Sequence, residues 1–286
     1  MTRLPAGLLL VAGMAAACSR GQALRFPGAP VVLVSIDTLR ADHLPAYGYA
    51  GVKTPHIDRF RRDAILYERA WSHAPLTLPA HVSLLTGLLP FEHGVRDNLG
   101  YRLDPGAHTT LAALLRGKGY ATGGFVSAHA LRGGTGLAEA FDVYDDHMVA
   151  PGGGGMEALG RVQRRGEETL ALARAWLAGV ESRPFLLFLH LYEPHAPYEP
   201  PEPFRSATAL PYDGEIAKSD EIVGGLLDEL RRSGVYDRAL VVLLSDHGEG
   251  LGEHGEDEHG ILLYRWALHV PLLVKLPGAA RAGTTV

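Results

Sequence analysis

The chain has 286 residues, 47% of them apolar and 21% charged, enough to bury one large core or a domain and part of another. A formal net charge of -5, with no basic stripe, argues against a nucleic-acid partner. A single cysteine excludes an internal disulfide, and 14 histidines, 35 glycines and 19 prolines point to long structured loops with chemistry in them.

The first residues read as an export signal. Arg3 precedes an apolar and small-residue run over 4–17, shorter than the roughly 20 residues of a membrane-spanning helix. Cys18 follows Ala15-Ala16-Ala17. This resembles a bacterial lipoprotein signal, in which the cysteine is lipidated and becomes the new N-terminus, although Ala15 replaces the favoured large aliphatic residue. The reading is a signal peptide and lipobox over 1–18, a tether over 19–30 and a folded domain over 31–286. It implies an exported, periplasmic or membrane-anchored protein that touches the membrane through its N-terminal lipid.

The apolar run 31–36 is a strand that ends at Asp37. Residues 77–86 are helical, with Pro79 tolerated in the first turn. A helix over 109–116, a strand over 121–127, a flexible surface loop over 151–155 and an amphipathic helix over 167–180 follow. A buried strand covers 185–190, a helix 215–232, a strand 239–244 and a further strand 270–276. This alternation predicts an α/β fold with a mostly parallel central sheet and helices on both faces. The chain stops just past a strand and a Pro-Gly turn, which reads as a domain missing its C-terminal part.

Two of these strands deliver an aspartate at the sheet edge where open α/β proteins bind ligands. Asp37 follows the first. Asp246 and His247 follow 239–244, in the glycine-rich run from Ser245 to Gly255. A lone Asp there is an ordinary turn residue; two, one beside an imidazole, suit a divalent metal. Thr77 lies at the start of a helix, whose N-terminus favours anions, and a metal held by Asp37, Asp246 and His247 would activate its hydroxyl. On local pattern alone, an N-cap is the commoner role for such a threonine.

Together, Ile36-Asp37-Thr38-Leu39-Arg40-Ala41-Asp42, residues 77–87 with Pro90 and His93-Gly94-Val95, Glu193-Pro194-His195-Ala196-Pro197-Tyr198, and Ser245-Asp246-His247-Gly248 resemble the sulfatase family of the alkaline phosphatase superfamily. The resemblance runs from about Val31 to the end of the chain. It implies a sulfatase-like catalytic domain in which Asp37, Asp246 and His247 bind metal and Thr77 stands at the nucleophile position. It also implies that His195 and His259 contact the anionic group and that His81 stands where an arginine usually supports the nucleophile. His254 is expected just behind the site, and Asp213, Asp220 and His259 are candidates for a second metal.

Three departures shape the expected chemistry. Thr77 replaces the Cys or Ser that becomes formylglycine, and threonine cannot give that aldehyde. Thr38 replaces the second aspartate of the usual pair, and Asp246-His247 replaces Asp-Asn. Thr77-Leu78-Pro79-Ala80-His81 looks like the Thr-x-Pro-x-His pattern of the superfamily's phosphodiesterases and phosphoryl transferases. The expectation is a metal-dependent hydrolase of sulfate or phosphate esters, phosphoester favoured. Zinc or manganese is the expected metal, with calcium or magnesium the alternatives. The substrate is a small anionic ester, a glycan or a lipid. The competing readings are a phospho-alcohol transferase of the cell envelope and an inactive sulfatase-like binding protein.

Overall fold

The computed structural model describes residues 24–148, 162–180 and 182–286. The expected signal peptide with Arg3 and Cys18, the tether up to residue 23 and the loop at 151–155 lie outside the described residues. A seven-stranded sheet forms the centre, in the order β2-β9-β7-β1-β6-β4-β5. Its strands are β1 (Val31–Ile36), β2 (Ile65–Leu66), β4 (Ala121–Phe125), β5 (Val143–Asp145), β6 (Phe185–Leu191), β7 (Leu240–Leu244) and β9 (Leu272–Lys275). β3 (Ala70–Trp71) and β8 (His269–Val270) form a separate two-stranded ribbon. β7, β1, β6, β4 and β5 are parallel, and β9 runs antiparallel to β7 and β2. The sheet is therefore mostly parallel, as expected.

The continuous apolar runs of β1 and β6 form strands because both faces are covered. Val32, Val34, Ile36, Leu187 and Leu189 pack on one face against Phe60, Leu170 and Leu226. These side chains come from α1 (Pro55–Asp63), α4 (Gly166–Val180) and α5 (Pro211–Arg232). Leu33, Leu186 and Phe188 face Leu78, Val82 and Ala112 on the other side, from α2 (Thr77–Thr86) and α3 (Leu111–Arg116). Among the described residues no helix is long and apolar enough to cross a membrane.

The expected strand over 270–276 is two elements. Pro271 separates β8, which pairs with β3, from β9, which joins the main sheet. A proline lacks the N–H that a continuing ladder needs.

Candidate functional site

Because β7, β1 and β6 are parallel neighbours, their C-terminal ends emerge side by side. Asp37 is the first residue past β1, and its amide extends the ladder to Leu191 O at 2.9 Å. The next residue, Thr38, has φ +55°, left-handed for a β-branched residue. That turn points the Thr38 amide at Asp246 Oδ1, 3.3 Å away. The backbone after one strand thus fixes the carboxylate after another.

The loop after β7 owes its course to glycine. A Cβ on Gly248 would run into Trp266 O, and its amide donates to Ala267 O at 2.7 Å. Gly250 and Gly252 donate to Glu258 O and Glu256 O, at 2.5 and 3.1 Å. The loop folds back on itself and lays His259 over Glu249, with His259 Nδ1 2.7 Å from Glu249 Oε1. His247 Nδ1 donates to Gly248 O at 2.9 Å. Its Nε2 is left as the lone-pair nitrogen, 3.3 Å from Asp246 Oδ2 and 3.6 Å from Asp37 Oδ1.

Thr77 is the first residue of α2, and Leu76 holds the cap position. The helix spans the expected residues 77–86, and Thr77 is not its N-cap. The nearby amide of Leu78 is satisfied by Asn98 Oδ1 at 2.7 Å, so it is not free to bind an anion. The Thr77 hydroxyl lies 3.4 Å from both Asp37 Oδ2 and His247 Nε2. His81, fully buried, donates from Nδ1 to Thr77 O at 2.7 Å and accepts from Ser35 Oγ at Nε2, 2.9 Å. It clamps the backbone that carries Thr77, and its Nδ1 also lies 3.4 Å from Asp246 Oδ2.

Asp37, Asp246 and His247 bring one ligand atom each to within 4.8 Å of one another. Burial pushes the Asp37 carboxyl up to about 7 and that of Asp246 well above the carboxylate range, with the Asp37 charge adding to the latter. Burial, helped by the positive charge of His259, holds His247 neutral. Asp37 Oδ1 and Asp246 Oδ2 are buried without a hydrogen-bond partner. Two crowded carboxylates and a neutral imidazole with a free nitrogen fit a divalent cation, which would offset the cost of burying both charges.

His259 and His195 complete the cluster. The His259 ring lies 4.4 Å from that of His247 and 4.9 Å from that of His195. Burial would lower the His259 pKa, but its bond to Glu249 and the charges of Glu249, Asp37 and Asp246 raise it to about 9. Burial, then the His259 charge, lowers His195 to about 3. His195 Nδ1 donates to Ala196 O at 2.7 Å, which leaves Nε2 an acceptor.

His190, at the end of β6, belongs to the cluster although sequence reading passed over it. Its Nε2 lies 3.2 Å from Asp37 Oδ2 and the ring is fully buried. The same strand-end reasoning that found Asp37 and Asp246 applies to it. Glu249, which fixes His259, was hidden among ordinary acidic loop residues.

Three expected residues lie elsewhere. His254 is exposed and stacks on Tyr264 at 3.9 Å. Asp213 binds His43 Nδ1 at 2.8 Å and the Tyr49 hydroxyl at 2.7 Å. Asp220 accepts from the amides of Ile57 and His56 at 2.7 and 3.2 Å, capping α1 from the side of α5. Asp213 and Asp220 are thus committed to structural bonds, not to a second metal.

Residues 30–285 match the family model described as Sulfatase. An ulvan-active sulfatase of Formosa agariphila is 25% identical over 285 residues, which cover 84% of this chain and 55% of that protein. A steryl-sulfatase of Rattus norvegicus is 26% identical over 374 residues, covering 91% and 64%. The chain spans less than two thirds of the length of these relatives. A phosphonate monoester hydrolase of Agrobacterium radiobacter superposes with a TM-score of 0.74 at 21% identity, over 90% of this chain and 70% of that one. The fold is shared with that structure.

Proposed function

The chain belongs to the sulfatase family, and from that premise we propose that it hydrolyses an anionic ester of phosphoric or sulfuric acid, with a phosphoester the preferred substrate. The observation that carries this reading is the Thr77 hydroxyl, 3.4 Å from both Asp37 Oδ2 and His247 Nε2 at the edge of the three-residue metal site. Threonine cannot be converted to the aldehyde that a formylglycine sulfatase uses, so Thr77 acts as a hydroxyl nucleophile. That favours phosphorus over sulfur.

Asp37, Asp246 and His247 would hold the divalent cation, zinc or manganese by donor set. When bound, such an ion supplies Lewis acidity and charge neutralisation to an ester oxygen and to the Thr77 hydroxyl. The chain's own groups do the rest. Thr77 Oγ1 forms its bond to phosphorus as the bond from phosphorus to the alcohol oxygen breaks; the Thr77 proton passes along the hydrogen bond to Asp37 Oδ2, and the departing oxygen takes up a proton from solvent to leave as the alcohol. His259, held as an imidazolium by Glu249, faces the charge that develops on the transferred group. His195, with Nε2 an unprotonated acceptor, orients the water that releases the covalent intermediate, and does not itself supply positive charge. His81 and His190 fix Thr77 and Asp37 in place.

Hydrolysis of an aryl phosphate monoester, an aryl phosphate diester and an aryl sulfate, with zinc or manganese present and Thr77→Ala as control, tests this reading. Thr77-dependent phosphoester turnover supports it. Turnover of any ester that persists unchanged in Thr77→Ala removes the nucleophile, and Thr77-dependent sulfate cleavage alone reverses the preference. Export, with lipidation at Cys18, belongs to the same proposal, and mass spectrometry of the N-terminal peptide from expressing cells tests it.

A further inference from the structure

A cavity of about 340 Å³ opens beside the cluster and shares His195 with it; Tyr192, whose ring stacks on His195 at 4.3 Å, also lines it. His195 joins the two, because its ring also packs at 4.9 Å on His259. Four carboxylates, those of Glu167, Glu193, Glu199 and Glu215, line the cavity with the cations Arg165 and Lys218, and Glu193 and Glu215 are the buried pair. Glu193 is fixed in one orientation. The Gly166 amide, at the start of α4, donates to its Oε1 at 2.7 Å, and a Cβ at residue 166 would stand 2.7 Å from its Oε2. The glycine is needed for the carboxylate to lie there. Oε2 itself is buried and has no hydrogen-bond partner.

Glu215 is 8% exposed, and the Glu199 amide is a hydrogen-bonding neighbour. Among the described residues neither carboxylate forms a direct ion pair, although the Lys218 charge reaches Glu193. Lys218, on the same wall, gives its Nζ to Glu167 at 2.7 Å and to Glu221 at 2.6 Å. Arg165 reaches Glu167 at 3.5 Å. Burial, with the neighbouring acidic charges adding to it, raises both carboxyl pKa values, Glu215 to about 7. Two buried carboxylates with unused acceptor capacity on one wall make a place for a donor carrying positive charge.

We propose that this cavity receives the alcohol portion of the ester, and that this alcohol bears a protonated amine bound by Glu193 and Glu215. The inference rests on the reading of the neighbouring site as an ester hydrolase and names the substrate class of that site. The anionic group meets His259 and the metal ligands, while the ammonium meets the two glutamates on the far side of His195. The substrate is thereby a zwitterionic ester, of an aminoalkyl alcohol or of an amino sugar.

The test is calorimetric binding to the full chain carrying Thr77→Ala, so that no turnover is needed. Two pairs of phosphate monoesters are compared: 2-aminoethyl phosphate against n-propyl phosphate, and glucosamine 6-phosphate against glucose 6-phosphate. The amine-bearing member of at least one pair binds about tenfold tighter or better, the gain expected from a charge-assisted hydrogen bond. The pair with the larger preference identifies the source of the amine. Glu193→Gln and Glu215→Gln each remove the preference, and the second serves where the first does not fold. Equal affinities within both pairs, or a preference that survives both substitutions, overturn the proposal. n-Butylammonium chloride separates the two readings. Its binding, abolished by either substitution in a protein that binds no phosphate ester, upholds the amine site and removes the hydrolase. Phosphate binding without any preference for the amine does the reverse.

Discussion

The hydroxyl of Tyr212 donates to the carbonyl of Thr38 at 2.7 Å, and it also accepts from the Arg40 amide at 3.0 Å. A side chain from α5 thereby closes the turn in which Thr38 is left-handed and Asp37 is aimed. Tyr212→Phe leaves that buried carbonyl without its donor, which costs about 1–3 kcal/mol. The expected outcome is a lower melting temperature together with weaker zinc or manganese binding. Tyr212→Phe with unchanged metal affinity would show that the turn holds Asp37 without the hydroxyl.

Thr77→Ala abolishes turnover while changing stability by only about 1 kcal/mol, since one buried hydroxyl and one methyl are lost. Thr77→Ser keeps the hydroxyl and retains measurable activity. Initial rates on the preferred aryl ester and a thermal melt of each variant check this pair.

Metal binding stabilises the folded chain by linkage. At free metal about 100 times its Kd the gain is about 2.7 kcal/mol, which raises the melting temperature by several degrees. Asp246→Asn and His247→Ala each remove that shift. Differential scanning calorimetry with and without a chelator reads it, and a shift that survives both substitutions would place the metal elsewhere.

Asp220 caps α1 through two backbone amides. Asp220→Ala therefore destabilises by about 1–2 kcal/mol, the usual loss of an N-terminal cap, and leaves metal stoichiometry unchanged. A lower bound-metal count by elemental analysis would return Asp220 to the metal site.

Glu215 gives a pH dependence of defined sign. Burial and Glu193 raise its pKa from 4.5 to about 7, so the folded state holds its proton where the unfolded state does not. Its contribution to stability is complete below pH 4.5 and is lost as pH rises through 7. In Glu215→Gln that loss disappears, and urea midpoints between pH 4 and 8 fall less steeply than in the parent chain.

The strands that carry the site were legible because their apolar runs stop at Asp37 and Asp246 and because parallel strands place such ends together. What caps the start of α2 was less so. Thr77 is helical from the outset because Asn98, 20 residues on, caps the next amide, a contact no local pattern carries. His254 and His259 sit in the same loop, but the backbone bonds of Gly250 and Gly252 decide which of them turns inward. α1 was missed because Pro55, His56 and five charged residues over 58–63 dilute its apolar stripe. It folds by burying Ile57 and Phe60 under α5. His190 was missed because its strand reads as uniformly apolar up to a residue that looks like an ordinary core histidine.

The first strand of the sheet occupies its middle. Val31 pairs with Leu186 on one side and with Leu240 on the other. During synthesis β1 therefore emerges long before either neighbour exists, and at roughly 5–20 residues per second it waits about 10–40 s for the second. Throughout that interval an apolar segment with two unpaired edges is open to any other extended chain. The cell must shield this nascent strand until the last third of the chain arrives, and conditions that stall translation between residues 191 and 240 favour aggregation over folding.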